Sequence, residues 1–181
     1  MRRIARFPLV AGITGAGIVL VLFAVPVGAW IGLSGRGEPP EVNRAYLAAE
    51  GVWEGSLEYA DDRTGERHAF PTTVRVTREA DRLRLVARYE GTTSVDETTI
   101  SRAPGGYTIQ TGGGSSSHLL NGTYKVRAVG DELEFEGRSP VLGADVRFRL
   151  EPGTDTLILE EELRRPGDPD YRFRNRFTLK R

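Results

Sequence analysis

Cysteine is absent from the 181 residues. Its absence excludes disulfides, thiolate nucleophiles and thiolate metal sites, and also the lipid anchor that bacterial lipoproteins carry on a cysteine. Lysine is almost missing too: Lys125 and Lys180 are the only two, so nearly every positive charge is an arginine. No acid precedes Glu38, while Arg2, Arg3 and Arg6 stand at the start. The formal net charge of zero is therefore a sum over unlike parts. Without those three arginines the chain carries 22 basic and 25 acidic residues, a net charge of −3. A mildly acidic domain with interspersed signs has no electrostatic footprint for nucleic acid. The hydrophobic fraction is only 39%, and much of it lies in residues 8–33. What remains is polar enough for a sheet with one wet face.

From residue 7 to residue 35 no side chain carries a formal charge. A helix over residues 8–33 would rise roughly 39 Å at about 1.5 Å per residue, enough to cross a ~30 Å hydrocarbon layer with some tilt. The arginines before it should stay cytoplasmic, which puts everything after residue 33 outside the cytoplasm. Trp30 fits an interfacial anchor at the far end, and Gly12, Gly15 and Gly17 are tolerated in such a helix. The competing reading is a secretory signal peptide cleaved after Ala29, where Val27-Gly28-Ala29 supplies small residues. The apolar stretch of residues 9–25 exceeds the ~7–15 residues usual for a signal peptide, which favours an uncleaved anchor. Both readings place the remainder outside the cytoplasm.

Residues 34–40, with Pro39 and Pro40, read as a linker. Residues 41–50 read as a short helix with Tyr46, Leu47 and Ala49 available for packing. The stretch Gly51-Val52-Trp53-Glu54-Gly55-Ser56-Leu57-Glu58-Tyr59 then alternates with period two, as a strand with one buried face does. Gly51 and Gly55 allow a neighbouring backbone to come close on either side of Trp53.

Further strands follow at residues 68–77, 82–90, 93–102, 107–111, 123–129, 133–137, 144–151, 156–164 and 171–180. Phe70, Thr72, Val74 and Val76 share one face of the first of these, and Leu83, Leu85, Ala87 and Tyr89 one face of the second. The 93–102 run is polar on both faces and its orientation is ambiguous. Asn121-Gly122 is the strongest hairpin signal in the chain. In the last strand the parity puts Tyr171, Phe173, Phe177 and Leu179 inside, with Arg172, Arg174, Arg176 and Lys180 outside.

This is the strand count and spacing of an all-β fold, an antiparallel up-and-down barrel of about 8–10 strands. No long amphipathic helix interrupts it, which argues against an α/β architecture. Charges on the outward faces, where lipid would demand apolar side chains, argue against a transmembrane barrel. The expected organisation is a transmembrane or signal-anchor helix over 1–33, a linker over 34–40 and a barrel domain over 41–181.

The short helix, the Gly51-x-Trp53-x-Gly55 opening, the meander and the arginine-rich last strand together resemble the lipocalin-like (calycin) superfamily. The opening also looks like that of small bacterial lipocalin-like domains and, in part, of the nitrobindin haem barrels. The lipocalin resemblance implies that Trp53 packs at a closed end of the barrel beneath an arginine. Arg172, Arg174 and Arg176 are the candidates for that cation–π contact. It also implies a small hydrophobic or amphipathic ligand. The nitrobindin likeness stops at the iron: neither histidine, His68 or His118, lies in the last strands.

Catalytic patterns are thin. His118 follows Gly112-Gly113-Gly114-Ser115-Ser116-Ser117, and a glycine–serine loop does not supply the rigid base that a nucleophilic serine needs. The same glycines lack the lysine and following helix of a phosphate loop. Asp61-Asp62 sits beside Arg63 and Arg67, where local pairing suffices. Within Glu160-Glu161-Glu162, only Glu161 has the inward parity of Leu157, Leu159 and Leu163. It therefore suits a partner for a barrel arginine or a ligand contact. Asn121-Gly122-Thr123 matches a glycosylation sequon that its turn chemistry already explains. Trp53, Tyr59, Tyr89, Tyr107 and Thr111 are the expected cavity-lining side chains, Trp53 doubling as the closing residue. No metal, cofactor or nucleic acid is expected. The leading expectation is a non-catalytic, membrane-anchored carrier of a small apolar or amphipathic molecule outside the cytoplasm. The alternative is a filled barrel serving as an interaction module for an envelope protein.

Overall fold

Each alternating run becomes a strand, and every strand pairs with the next. In the computed structural model, residues 38–61, 63–113 and 120–181 are described. Among the described residues one helix, α1 (Pro40–Ala49), precedes β1 (Gly51–Ala60), β2 (Arg67–Glu79), β3 (Arg82–Tyr89), β4 (Val95–Ala103) and β5 (Gly106–Gly113). There follow β6 (Gly122–Val129), β7 (Glu132–Ser139), β8 (Ala144–Pro152), β9 (Thr156–Arg164) and β10 (Arg172–Lys180). All pairings are antiparallel, and β10 returns to β1, which closes a barrel. Closure satisfies the edge N–H and C=O groups that an open meander would leave bare.

The β1–β10 seam depends on Gly55. A Cβ there would lie 2.1 Å from the Thr178 carbonyl oxygen and 2.9 Å from the Leu179 Cα. Both atoms are backbone, so the two strands approach closely only because position 55 has no side chain.

One end of the barrel is closed by packing. Val42, Ala45, Tyr46 and Ala49 of α1 are buried, and Trp53 is fully buried just after the helix. The indole Nε1–H donates to the Ala49 carbonyl at 2.8 Å. The Arg181 guanidinium lies 4.3 Å from the Trp53 ring centroid and donates to the Ala48 and Glu50 carbonyls at 3.1 and 2.7 Å. Two carbonyls that the helix C-terminus leaves without intrahelical partners are thus satisfied by a cation, as the helix dipole favours. On the same end Tyr107 donates its hydroxyl to Glu38 at 2.6 Å. That bond ties the last linker residues to the barrel.

The cation over Trp53 is therefore Arg181 and none of the three arginines expected from β10. Those three are engaged elsewhere: Arg172 with Asp168, Arg174 with Glu161, and Arg176 with Glu160. Only Arg181, past the end of β10, reaches back over the start of β1.

Two further expectations change. Asn121-Gly122 does not turn a hairpin, because Gly122 already pairs with Ile109 inside the sheet. The Asn121 side chain instead accepts the Thr111 backbone N–H at 2.7 Å, serving as an extra rung between β5 and β6. In β10 the register shifts between Phe173 and Asn175. This bulge inverts the parity upstream of it. Phe173 comes to lie opposite Glu162 and under the Arg67 guanidinium at 4.2 Å. Arg147 and Arg164 sit over the Tyr171 ring at 4.0 and 4.7 Å, so both aromatics face outward. Arg174, expected outside, turns in.

Outward side chains of β6–β10 form a lattice of ion pairs. Arg127 pairs with Glu134 at 2.7 Å, Arg147 with Glu136 and Glu162 at 3.1 and 3.4 Å, and Arg149 with Glu162 at 3.2 Å. Glu160 lies beneath Arg149 and Arg176. Hydrocarbon would not accept such a face. Among the described residues no helix is long and apolar enough to cross a membrane. The apolar segment expected to do so, with its Trp30 anchor and its Ala29 cleavage point, lies outside them. So do Asp62 and the stretch from Gly114 through His118.

Candidate functional site

The end of the barrel away from α1 is hollow. A narrow inner cavity of about 90 Å³ lies between the strands, and a wider mouth of about 350 Å³ shares Leu57, Tyr89, Asp96 and Asn175 with it. The wider volume is at the lower end of the roughly 300–1,000 Å³ range typical of small-molecule sites. Leu85, Phe148, Leu159 and Phe177 give the inner cavity an apolar floor. Below that floor the interior is filled by Trp53, Phe135, Leu133, Leu150 and their neighbours, all essentially inaccessible. The hollow therefore occupies only part of the barrel.

Two polar clusters project into it. On β4, Asp96 accepts the Tyr89 hydroxyl at 2.7 Å. Burial first, and this bond second, push the Tyr89 phenol well above its ordinary pKa. The phenol therefore stays protonated and the carboxylate is its acceptor. On β9, Glu161 accepts the Asn175 side-chain amide at 2.8 Å and stands 3.3 Å from the Arg174 Nε. The Glu161 and Arg174 side chains are 6% and 15% exposed, so this pair is held largely out of water. The bulge creates it: one extra residue in β10 lets consecutive side chains, Arg174 and Asn175, both reach inward to one carboxylate. Around the closed ring β4 and β9 lie on opposite sides. Asp96 thus faces the Glu161 cluster across the cavity.

The rim is aromatic. Tyr59 on β1 stacks on Phe70 of β2 with centroids 5.6 Å apart and planes 14° apart, and it leans on His68 at 5.2 Å. The register Tyr59↔His68 and Leu57↔Phe70 puts these rings on one face at the mouth. Thr92 and Ser94, in the turn between β3 and β4, complete the opening with Ala60.

Of the side chains expected to line a cavity, Tyr59, Tyr89 and Thr111 do so. Trp53 and Tyr107 belong to the packed closed end instead, where Tyr107 meets Phe135 edge-on at 5.8 Å. Asp96, Arg174 and Asn175 were not among the expected lining residues. Ile100 is the usable signal for Asp96: it is the largest apolar side chain in the ambiguous 93–102 run, and Asp96 and Thr98 share its parity. Nothing in a strict period of two signals Arg174. Glu161 was placed inward from its parity, and the structure pairs it with a barrel arginine. Among the described residues no group of three or more His, Asp and Glu side chains is placed to hold a metal ion.

No protein-family model matches the chain, and no curated protein matches its sequence significantly. The ten-stranded antiparallel barrel behind a short helix is consistent with a lipocalin-like fold, and that likeness is one of architecture alone.

Proposed function

We infer that this protein is a non-catalytic, membrane-anchored domain outside the cytoplasm that holds a small apolar or amphipathic molecule in the mouth of its barrel. The observation carrying this reading is the hollow itself: an apolar floor, a few convergent polar groups and a wide mouth above a barrel end that α1 and Trp53 seal. That is how sites for small organic molecules are generally built. The filled lower half limits the occupant to a compact molecule and argues against a long acyl chain. The membrane anchor and outward orientation rest on the N-terminal arginines and the uncharged stretch behind them. A filled interaction module is the second reading, favoured by the packing from Trp53 to Phe135; the open upper half speaks against it.

Native mass spectrometry of the full chain, taken from the membrane fraction of its cells before and after denaturation, tests the carrier reading. A reproducible added mass of small-molecule size, released on unfolding, is expected. A bare chain that takes up nothing on titration with small amphiphiles overturns it.

A further inference from the structure

The mouth keeps aromatic rings partly bare where the rest of the inner face packs them away. Tyr59 of β1 and Phe70 of β2 both border the mouth, and Phe70 is 37% exposed. Trp53 and Phe135, deeper in the barrel, are fully covered. The antiparallel register sets the rim rings in a row: Tyr59 lies opposite His68, and Phe70 follows two positions along, opposite Leu57. The Tyr59 and Phe70 planes are only 14° apart, with centroids at 5.6 Å. Near-parallel, offset rings of this kind make a preformed flat wall, against which a further ring packs offset or edge-on. The charged groups nearby are turned to protein partners: Asp96 accepts the Tyr89 hydroxyl, and Glu161 holds Asn175 and Arg174. Thr92 and Ser94 bring hydroxyls to the same opening, enough to meet one neutral polar group on an occupant. The inner cavity of about 90 Å³ admits little of it, so its body rests in the 350 Å³ mouth, at the level of the rings.

Resting on the carrier reading, we propose that the mouth selects flat aromatic molecules, held against the Tyr59–Phe70 wall, over saturated molecules of the same size and polarity. Burial alone gives the opposite order, because a saturated ring is the more apolar of the two. Stacking on the preformed wall reverses it.

Benzyl alcohol and cyclohexylmethanol share one skeleton and one hydroxyl and differ in being flat or puckered. Titrated calorimetrically into the full chain, benzyl alcohol is expected to bind about fivefold tighter. Y59L/F70L keeps an apolar rim without rings and should abolish that preference. Cyclohexylmethanol binding as tightly as benzyl alcohol to the parent chain overturns the aromatic assignment and leaves the carrier reading standing. Failure of both alcohols to bind overturns the two together. A preference that survives intact in Y59L/F70L overturns the placement at these rings. Should that variant not fold by circular dichroism, intermolecular NOEs in the parent chain replace it. They should connect the benzyl ring protons to the Tyr59 and Phe70 rings, and contacts confined to other residues overturn the proposal.

Discussion

Replacing Arg181 tests the closure of the barrel most directly, because one side chain there makes three separable contacts. Its guanidinium covers the Trp53 ring at 4.3 Å and reaches the Ala48 and Glu50 carbonyls at 3.1 and 2.7 Å. A cation over an indole at a partly wet site contributes about 0.5–1 kcal/mol. Hydrogen bonds to exposed helix-end carbonyls add about 0.5 kcal/mol each after discounting for solvent. The expected loss for R181A is about 2 kcal/mol, or roughly 6–8 °C in Tm for a domain of this size. R181M keeps the aliphatic stem and should lose almost as much. R181K keeps a charge that reaches one carbonyl at most, so it should lose about half. Urea and thermal unfolding, in a W30F background so that fluorescence reports Trp53 alone, give both the energy and the indole's environment. Native emission should shift to the red in R181A and R181M as water gains access to the ring. Unfolding midpoints for all three variants within error of the parent would refute the closure argument.

Other outcomes follow from the same geometry. R174M takes a cation from the buried Glu161 and should cost about 2–4 kcal/mol, whereas R174M/E161L should recover most of that; urea midpoints of the double-mutant cycle check it. G55A forces a Cβ against the Thr178 carbonyl and should abolish soluble, folded protein, while G112A, with nothing within 4 Å, should be neutral by far-UV circular dichroism and melting. Ala80 turns from β2 to β3 at φ 50°, so A80G should stabilise by about 0.5–1 kcal/mol in thermal unfolding. Hydrogen bonding from Arg84 holds the Glu97 carboxyl below its ordinary pKa, and the Thr64 and Arg63 N–H groups do the same for Asp61. For a lowered carboxyl pKa the stabilisation is complete above the ordinary carboxylate range and fades as pH falls through the lowered value. The urea midpoint should therefore drop on acidification below about pH 4.5, and less steeply in E97Q and D61N.

Period-two alternation made most of the barrel legible, because a side chain that faces the core must be apolar or paired. That rule places Leu83, Leu85 and Ala87 correctly, and also Glu161. It fails where the backbone departs from period two. Residues 171–174 read as a regular strand, yet the bulge before Asn175 reverses them, and an extra residue inside a strand leaves no mark in polarity when its neighbours are arginines and aromatics. Arg181 escapes for another reason. It lies beyond β10, so no facing rule applies to it, and only the fold reveals that the chain there passes the start of β1. Asn121 escapes because an amide that caps a neighbouring strand looks the same in sequence as one that turns a hairpin. The hollow itself was out of reach. Whether Tyr107 fills a core or borders a space depends on the heights of other strands, which alternation does not encode.

The bulge in β10 makes the chemistry of the cavity a matter of chain length as well as of residue type. Deleting position 174 would remove an arginine and, at the same stroke, restore a regular strand. That would keep Phe173 on the outer face opposite Glu162 and leave Glu161 with Asn175 as its cross-strand neighbour. A single-codon loss would thus take the arginine out of the cavity wall while every strand kept its register. Barrels of this build can change what their mouths accept by insertion and deletion, a route that comparisons counting only substitutions would pass over.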